Sequence, residues 1–141
     1  RGLGITVLRN EHVTLEIDGQ HLDLAGIDDP TGKSFAPGHG SDLPRALAGR
    51  DTSRPVILLA HQPKGAHTAA DHGVALQISG HTHGGQIFPF NFLVGLDQPF
   101  VAGLHRLRDM SIYVSTGTGY WGPPMRLGVP AEITDITLRL A

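Results

Sequence analysis

Three histidines stand where they could share one chemistry. His81-Thr82-His83 lies between Gly80 and the pair Gly84-Gly85, and His61 is followed by Gln62-Pro63. Neutral imidazole is a common ligand for transition-metal ions. In an extended segment residues i and i+2 point the same way, roughly 7 Å apart, so two such rings can face one ion or two neighbouring ions. The flanking glycines let the backbone turn sharply and approach closely without side-chain bulk. Gly84 and Gly85 are therefore possible substrate-binding positions. A lone histidine is more often a satisfied buried or turn residue than a ligand, so His61 counts only through its place in the fold. His12, His21, His39, His67, His72 and His105 fit no ligand spacing.

The elements that must position these residues read as follows. Pro55 to Ala60 is a continuous β-branched and aliphatic run, the pattern of a strand buried on both faces, and it ends at His61. Val74 to Ser79 reads as a second such strand, ending at Gly80-His81. Both histidine motifs thus fall at strand C-terminal ends, where open α/β sheets place their sites. Upstream, alternation over Val13–Ile17 and His21–Gly26 around Asp18-Gly19 predicts a β-hairpin. Ser41 or Asp42 caps a predicted helix that runs to about Ala48 and stops at Gly49, with Pro44 in its first turn. A short helix is expected from Gly65 to His72, closed by Gly73. A long loop then reaches about Gln98, and strands near Phe100–Leu107, Ser111–Ser115 and Glu132–Leu140 complete a β-rich α/β chain. Thr116 to Pro130 reads as an ordered loop.

Composition narrows the chemistry. The chain has 141 residues, 40% apolar and 17% charged, which fits one globular domain over residues 1–141. A formal net charge of −2 and no basic run give no nucleic-acid signal. Cysteine is absent, so any metal must be held by His, Asp, Glu or Asn. No apolar run approaches the roughly 18 residues that span a bilayer. The start at Arg1-Gly2-Leu3-Gly4 reads as cut from a longer chain, and any anchor would lie outside it. Localisation is open, with a bacterial cytoplasmic or membrane-associated setting expected. Gly26 to Ser34 fails the count of a phosphate-binding loop, since five residues separate its glycines. Asp28 and Asp29 read instead as turn or capping residues, with a place near the metals as the lesser alternative.

Leu58-Leu59-Ala60-His61-Gln62-Pro63 and Ser79-Gly80-His81-Thr82-His83-Gly84-Gly85-Gln86 resemble the last two signature motifs of calcineurin-like metallophosphoesterases. The closer resemblance is to the bacterial branch with YkuE- and YaeI-type enzymes, and it covers essentially the whole chain. Gly117-x-Gly119, Pro124-x-Arg126, Pro130-Ala131-Glu132-Ile133 and Leu24-Ala25-Gly26-Ile27-Asp28-Asp29-Pro30 are similar to that branch too. The resemblance implies half of an αββα sandwich and two divalent metal ions, with Mn, Fe, Zn and Co all open. It implies a bridging water that attacks a phosphate mono- or diester. Mapped by motif, His61 and His81 would bind one metal and His83 the other. Arg126, in a glycine-framed loop, is a possible substrate-binding residue, because a guanidinium can hold phosphate bidentately. A structural salt bridge is the equal alternative.

The family's Asp-x-His, Gly-Asp-x-x-Asp and Gly-Asn-His motifs do not occur in the 141 residues, and Asn10-Glu11-His12 is the nearest string. The chain therefore reads as the C-terminal portion of a larger metallophosphoesterase domain, supplying half the metal ligands and inactive alone. The other reading is a non-catalytic metal-binding or protein-interaction fragment. Expected partners are a phosphate-ester substrate, the missing N-terminal half, and a second copy in a homodimer through the surface that truncation would expose.

Overall fold

The computed structural model describes residues 2–139, whose strands form one six-stranded mixed sheet in the order β1-β2-β3-β4-β6-β5. β1 (Glu11–Ile17) and β2 (Gln20–Gly26) form the predicted antiparallel hairpin. Asp18 and Gly19 both take positive φ, +52° and +73°, as a two-residue hairpin turn matched to strand twist requires. β3 (Val56–Leu59) and β4 (Leu76–Ser79) continue the sheet in parallel, followed by β6 (Met110–Val114). β5 (Gly103–Leu107) pairs antiparallel with β6 at the edge. The architecture is the β-rich α/β class that the sequence predicts.

Local chemistry explains the helices. The Asp42 carboxylate accepts from the Arg45 amide at 3.0 Å and starts α1 (Leu43–Ala46), with Pro44 in the first turn. α2 (Ala66–Asp71) ends before Gly73, whose φ of +73° suits the left-handed residue that closes a helix. Both helices cover one face of the sheet. Ala25, Val56, Leu58, Met110, Ile112 and Val114 point to that side and are buried against Leu43, Ala66 and Ala69. Each of the larger side chains contributes about 1.5–3 kcal/mol by leaving water.

The sheet's other face departs from expectation. β3 and β4 are buried on alternate residues only, and Leu59 remains 39% exposed. Leu59 joins Leu8, Val13, Leu15, Leu24 and Ile78 in an open concavity of about 700 Å³. Among the described residues no layer packs over it, so the aliphatic runs have a core on one side alone.

Two further expectations are corrected. The predicted strand over Glu132–Leu140 is not formed in residues 132–139, and Leu140 lies outside the described residues. Ile133, Ile136 and Leu138 do not keep a strict period of two, and side chains tether the segment instead. Tyr113 Oη donates to Glu132 Oε1 at 2.7 Å, and the Glu132 amide donates to the Gly117 carbonyl at 3.0 Å. The predicted long loop to Gln98 contains α3 (Asn91–Asp97). None of its residues is buried, although Phe88, Phe92, Leu93 and Leu96 recur at helical spacing in the sequence.

Candidate metal centre

The histidines meet because β3 and β4 are parallel neighbours whose pairing continues past their ends. The Ala60 amide donates to the Ile78 carbonyl at 3.1 Å, and the Gly80 amide donates to the His61 carbonyl at 3.0 Å. This brings His81 Nδ1 to 3.2 Å from His61 Nε2, with the rings edge to face at 5.0 Å. His61, His81 and His83 line one cavity of about 450 Å³, with Thr82, Phe90, Leu93, Val94, Asp97, Gln98 and Trp121. Gln98 is 4% exposed, and its Oε1 has no hydrogen-bond partner among the described residues.

The segment carrying His81 and His83 is not extended, and the expected i, i+2 geometry is replaced. His81, His83 and Gln86 have φ of +69°, +49° and +56°. A non-glycine residue held there costs of order 1–3 kcal/mol and persists where its surroundings over-determine it. The result is a tight turn over His83–Gly85 in which His81 meets His61 and His83 meets Arg126.

The surroundings that hold this turn are visible. Thr82 Oγ1 donates to the Val101 carbonyl at 2.6 Å and accepts from the Gly84 amide at 3.3 Å. A Cβ on Gly84 would lie 2.7 Å from Val129 Cγ1, and one on Gly85 would lie 2.2 Å from Asn91 Cα. The Gly85 amide donates to the Thr82 carbonyl at 2.8 Å. Gly84 and Gly85 are thus buried parts of the turn, their amides used within it. Gln86, 1% exposed, accepts from the Trp121 amide at 2.7 Å and donates to the Trp121 carbonyl at 2.8 Å. The motif string contained Gln86, but nothing in it signalled a partner 35 residues away.

Arg126 closes the other side. Its Nη2 donates to the carbonyls of Thr116 at 2.7 Å, Gly117 at 3.1 Å and Gly119 at 2.5 Å, and reaches His83 Nδ1 at 3.2 Å. Nε donates to Gly119 O at 2.9 Å and Nη1 to Pro130 O at 3.3 Å. Among the described residues it forms no salt bridge.

Carboxylates flank the rings. Asp29 caps the turn over Pro30–Ser34 through the Thr31 amide at 2.8 Å, as a capping residue should, and accepts from Gln62 Nε2 at 3.1 Å. Burial alone would raise Asp29, but the hydrogen bonds from Thr31 and Gln62 hold it below the usual carboxylate range. Asp97 is held low chiefly by its hydrogen bond from Lys64. Asp28 pairs with Arg9 at 2.7 Å, away from the cavity wall. Burial, then the neighbouring His61, holds His81 below the ordinary imidazole range, against the pull of Asp29. Burial, then the Arg126 cation, does the same for His83, while the Gly119 carbonyl opposes it.

A divalent ion fits this donor chemistry in part. Neutral imidazoles are the ligating form. His61 Nε2 and His81 Nδ1, 3.2 Å apart, would be the nitrogens offered to such an ion. Among the described residues, however, no three His, Asp or Glu side chains gather closely enough to hold an ion. His61 and His81 form a hydrogen-bonded pair of rings.

The chain is 44% identical over 99% of its length to a Danio rerio protein named transmembrane protein with metallophosphoesterase domain. It is 44% identical over 96% of its length to an uncharacterized metallophosphoesterase of Helicobacter pylori. To the uncharacterized metallophosphoesterase YkuE of Bacillus subtilis it is 37% identical over 96% of its length. The chain spans about 33%, 36% and 47% of these relatives, respectively. No family model matches the chain, and no solved structure matches it. The expected bacterial setting, cytoplasmic or membrane-associated, is corrected by these relatives, since the vertebrate ones are named transmembrane proteins. Among the described residues no helix is long and apolar enough to cross a membrane.

Proposed function

The chain belongs to the metallophosphoesterase family, and we propose that it contributes His61, His81 and His83 to a two-metal centre that hydrolyses a phosphate mono- or diester. The observation that carries this reading is the 3.2 Å approach of His81 Nδ1 to His61 Nε2 at adjacent parallel strand ends. The two rings share one hydrogen bond where a cation would replace the proton. His61 and His81 would hold one ion and His83 the other, with Mn, Fe, Zn and Co all compatible with imidazole and carboxylate donors. Bound divalent metals supply an acidified water and neutralise phosphoryl charge.

The chain's own residues do the rest. Thr82, Gln86 and the buried glycines fix the turn that aims His81 at His61. Phe90 and Trp121, with ring centroids 5.8 Å apart, give the cavity an apolar wall for the group attached to phosphate. The remaining ligands belong to the family motifs that these 141 residues lack, so the isolated chain is expected to be inactive.

Titration calorimetry with Zn²⁺ and with Mn²⁺ tests the ligand set. Binding should be lost in His81→Ala and in His61→Ala and kept in His105→Ala; equal binding by all four proteins would sink the reading. Manganese-dependent hydrolysis of an aryl phosphodiester by this chain alone, abolished by His81→Ala, would show that it assembles a complete centre.

A further inference from the structure

Away from its histidines the cavity is walled by hydrocarbon, and that wall runs out onto open surface. Phe90, Leu93, Val94 and Asp97 recur at the spacing of one helical face and line the cavity together with Trp121. The neighbouring face of α3 is apolar as well. Phe88, Phe92 and Leu96 stand four apart, with the two phenylalanine ring centroids 6.0 Å from each other. Phe92 is 67% exposed and Leu96 84%. A helix apolar on more than one face is ordinarily buried, yet no residue of α3 is. From Gly84 to Leu96 the sequence carries no charged residue.

The polar groups around this wall are already committed. Among the described residues no lysine or arginine lines the cavity. Beside it, Lys64 pairs with Asp97 at 2.5 Å, and Arg126 gives its Nη2 to the carbonyls of Thr116 and Gly119. Thr82 Oγ1 donates to the Val101 carbonyl, and Nε2 of the buried Gln98 donates to the Asp97 carboxylate at 3.0 Å. A nucleotide or a sugar phosphate would bring further charges, hydroxyls or amides to this wall, and polar groups buried there without partners weaken binding. A hydrocarbon chain needs no partner. Each methylene it takes out of water tightens binding about fourfold.

The geometry points to a phosphate ester of a long-chain alcohol as the substrate class of this site. Its phosphate lies at the histidines, and its chain lies against Phe90, Leu93, Val94 and Trp121 and leaves along α3. The occupant is a chain rather than a folded partner because the apolar wall is continuous with the inside of a cavity of about 450 Å³, which a protein surface cannot enter. The phosphate half of this inference rests on the phosphoesterase reading above; the chain half rests on the wall.

Trp121 is the only tryptophan of the chain, so its fluorescence reports on this wall. Alkyl phosphates brominated at the chain end should quench it saturably, without added metal and below their micelle concentrations. Binding should tighten about fourfold per methylene from octyl to decyl phosphate. Adenosine monophosphate should neither change the emission nor displace the alkyl phosphate. Leu93→Ser, at an exposed position, should bind decyl phosphate about tenfold more weakly, as the loss of one leucine contact requires. Leu15→Ser, in the apolar concavity on the sheet's other face, should bind it as wild type does. Absence of saturable quenching, indifference to chain length or displacement by adenosine monophosphate would overturn the inference, and so would a loss in Leu15→Ser that Leu93→Ser does not share. Should Leu93→Ser fail to fold, Leu96→Ser takes its place, and the chain-length series needs no variant. Failure of the metal reading looks different: decyl phosphate quenches Trp121 while zinc gives no heat of binding, and the chain site stands without the metal centre.

Discussion

At Gly85 a single methyl group is enough to disturb the site. Its φ is +82°, and an added Cβ would stand 2.2 Å from Asn91 Cα, a backbone atom that cannot step aside cheaply. Gly85→Ala should therefore lose about 2–4 kcal/mol in urea unfolding, strain and overpacking acting together. Gly80 is the control, because a Cβ there meets nothing within 4 Å, and Gly80→Ala should stay within about 1 kcal/mol of wild type. Equal losses at the two positions would refute the steric account. The histidines of this turn were legible in the sequence because their spacing and the surrounding glycines stand out from the chain. The roles of Gln86 and Arg126 were not. Gln86 is held by the backbone of Trp121, 35 residues away, and Arg126 by the carbonyls of its own loop beside a ring 43 residues away, and a string of letters carries no sign of either.

Among the elements, those with a local cause were readable and those held by distant side chains were not. The hairpin follows from Asp18-Gly19 between alternating segments, and α1 from Asp42 as its cap. The segment after Pro130 has no such cause. Its anchor is Glu132, which accepts from Tyr113 Oη at 2.7 Å and from the Thr116 amide at 3.2 Å. The hydrogen bond from Tyr113 holds the Glu132 carboxyl below its ordinary value of 4.5. A carboxyl depressed in the folded chain binds fewer protons there than in the unfolded chain, so stability rises with pH across the interval between the two values. The anchor is thus at full strength above 4.5 and is lost as pH falls through the lower, folded value. Amide resonances of residues 132–139 should report release of this segment on acidification below 4.5, before global unfolding. Glu132→Gln should weaken the attachment at neutral pH and remove its acid dependence. A segment that stays docked until the whole chain unfolds, or an unchanged acid profile in Glu132→Gln, would contradict the assignment.

For the molecule as a whole, the decisive feature is a sheet with a core on one side. Parallel β3 and β4 read as strands buried on both faces, but they are buried on alternate residues only, and in β4 the buried side is the polar pair Gln77 and Ser79. Leu8, Val13, Leu15, Leu24, Leu59 and Ile78 instead line an open concavity of about 700 Å³. Ile17, at the end of edge strand β1, is 54% exposed. Contiguous apolar surface of this kind is seldom left bare in a monomer, and an exposed edge strand offers unpaired backbone groups to a second chain. The isolated chain should therefore self-associate, most simply as a two-fold dimer that sets concavity against concavity. Sedimentation at about 100 µM should give a species of twice the monomer mass. Leu59 supplies the sharper test, because it is 39% exposed and a charge there costs the folded monomer little. Buried at a dimer interface the same charge would be unpaired, and it should shift the association midpoint by tenfold or more. Leu59→Asp should consequently sediment as a folded monomer. A monodisperse wild-type monomer at that concentration, or a Leu59→Asp chain that dimerises as wild type does, would show that the concavity is not the associating surface.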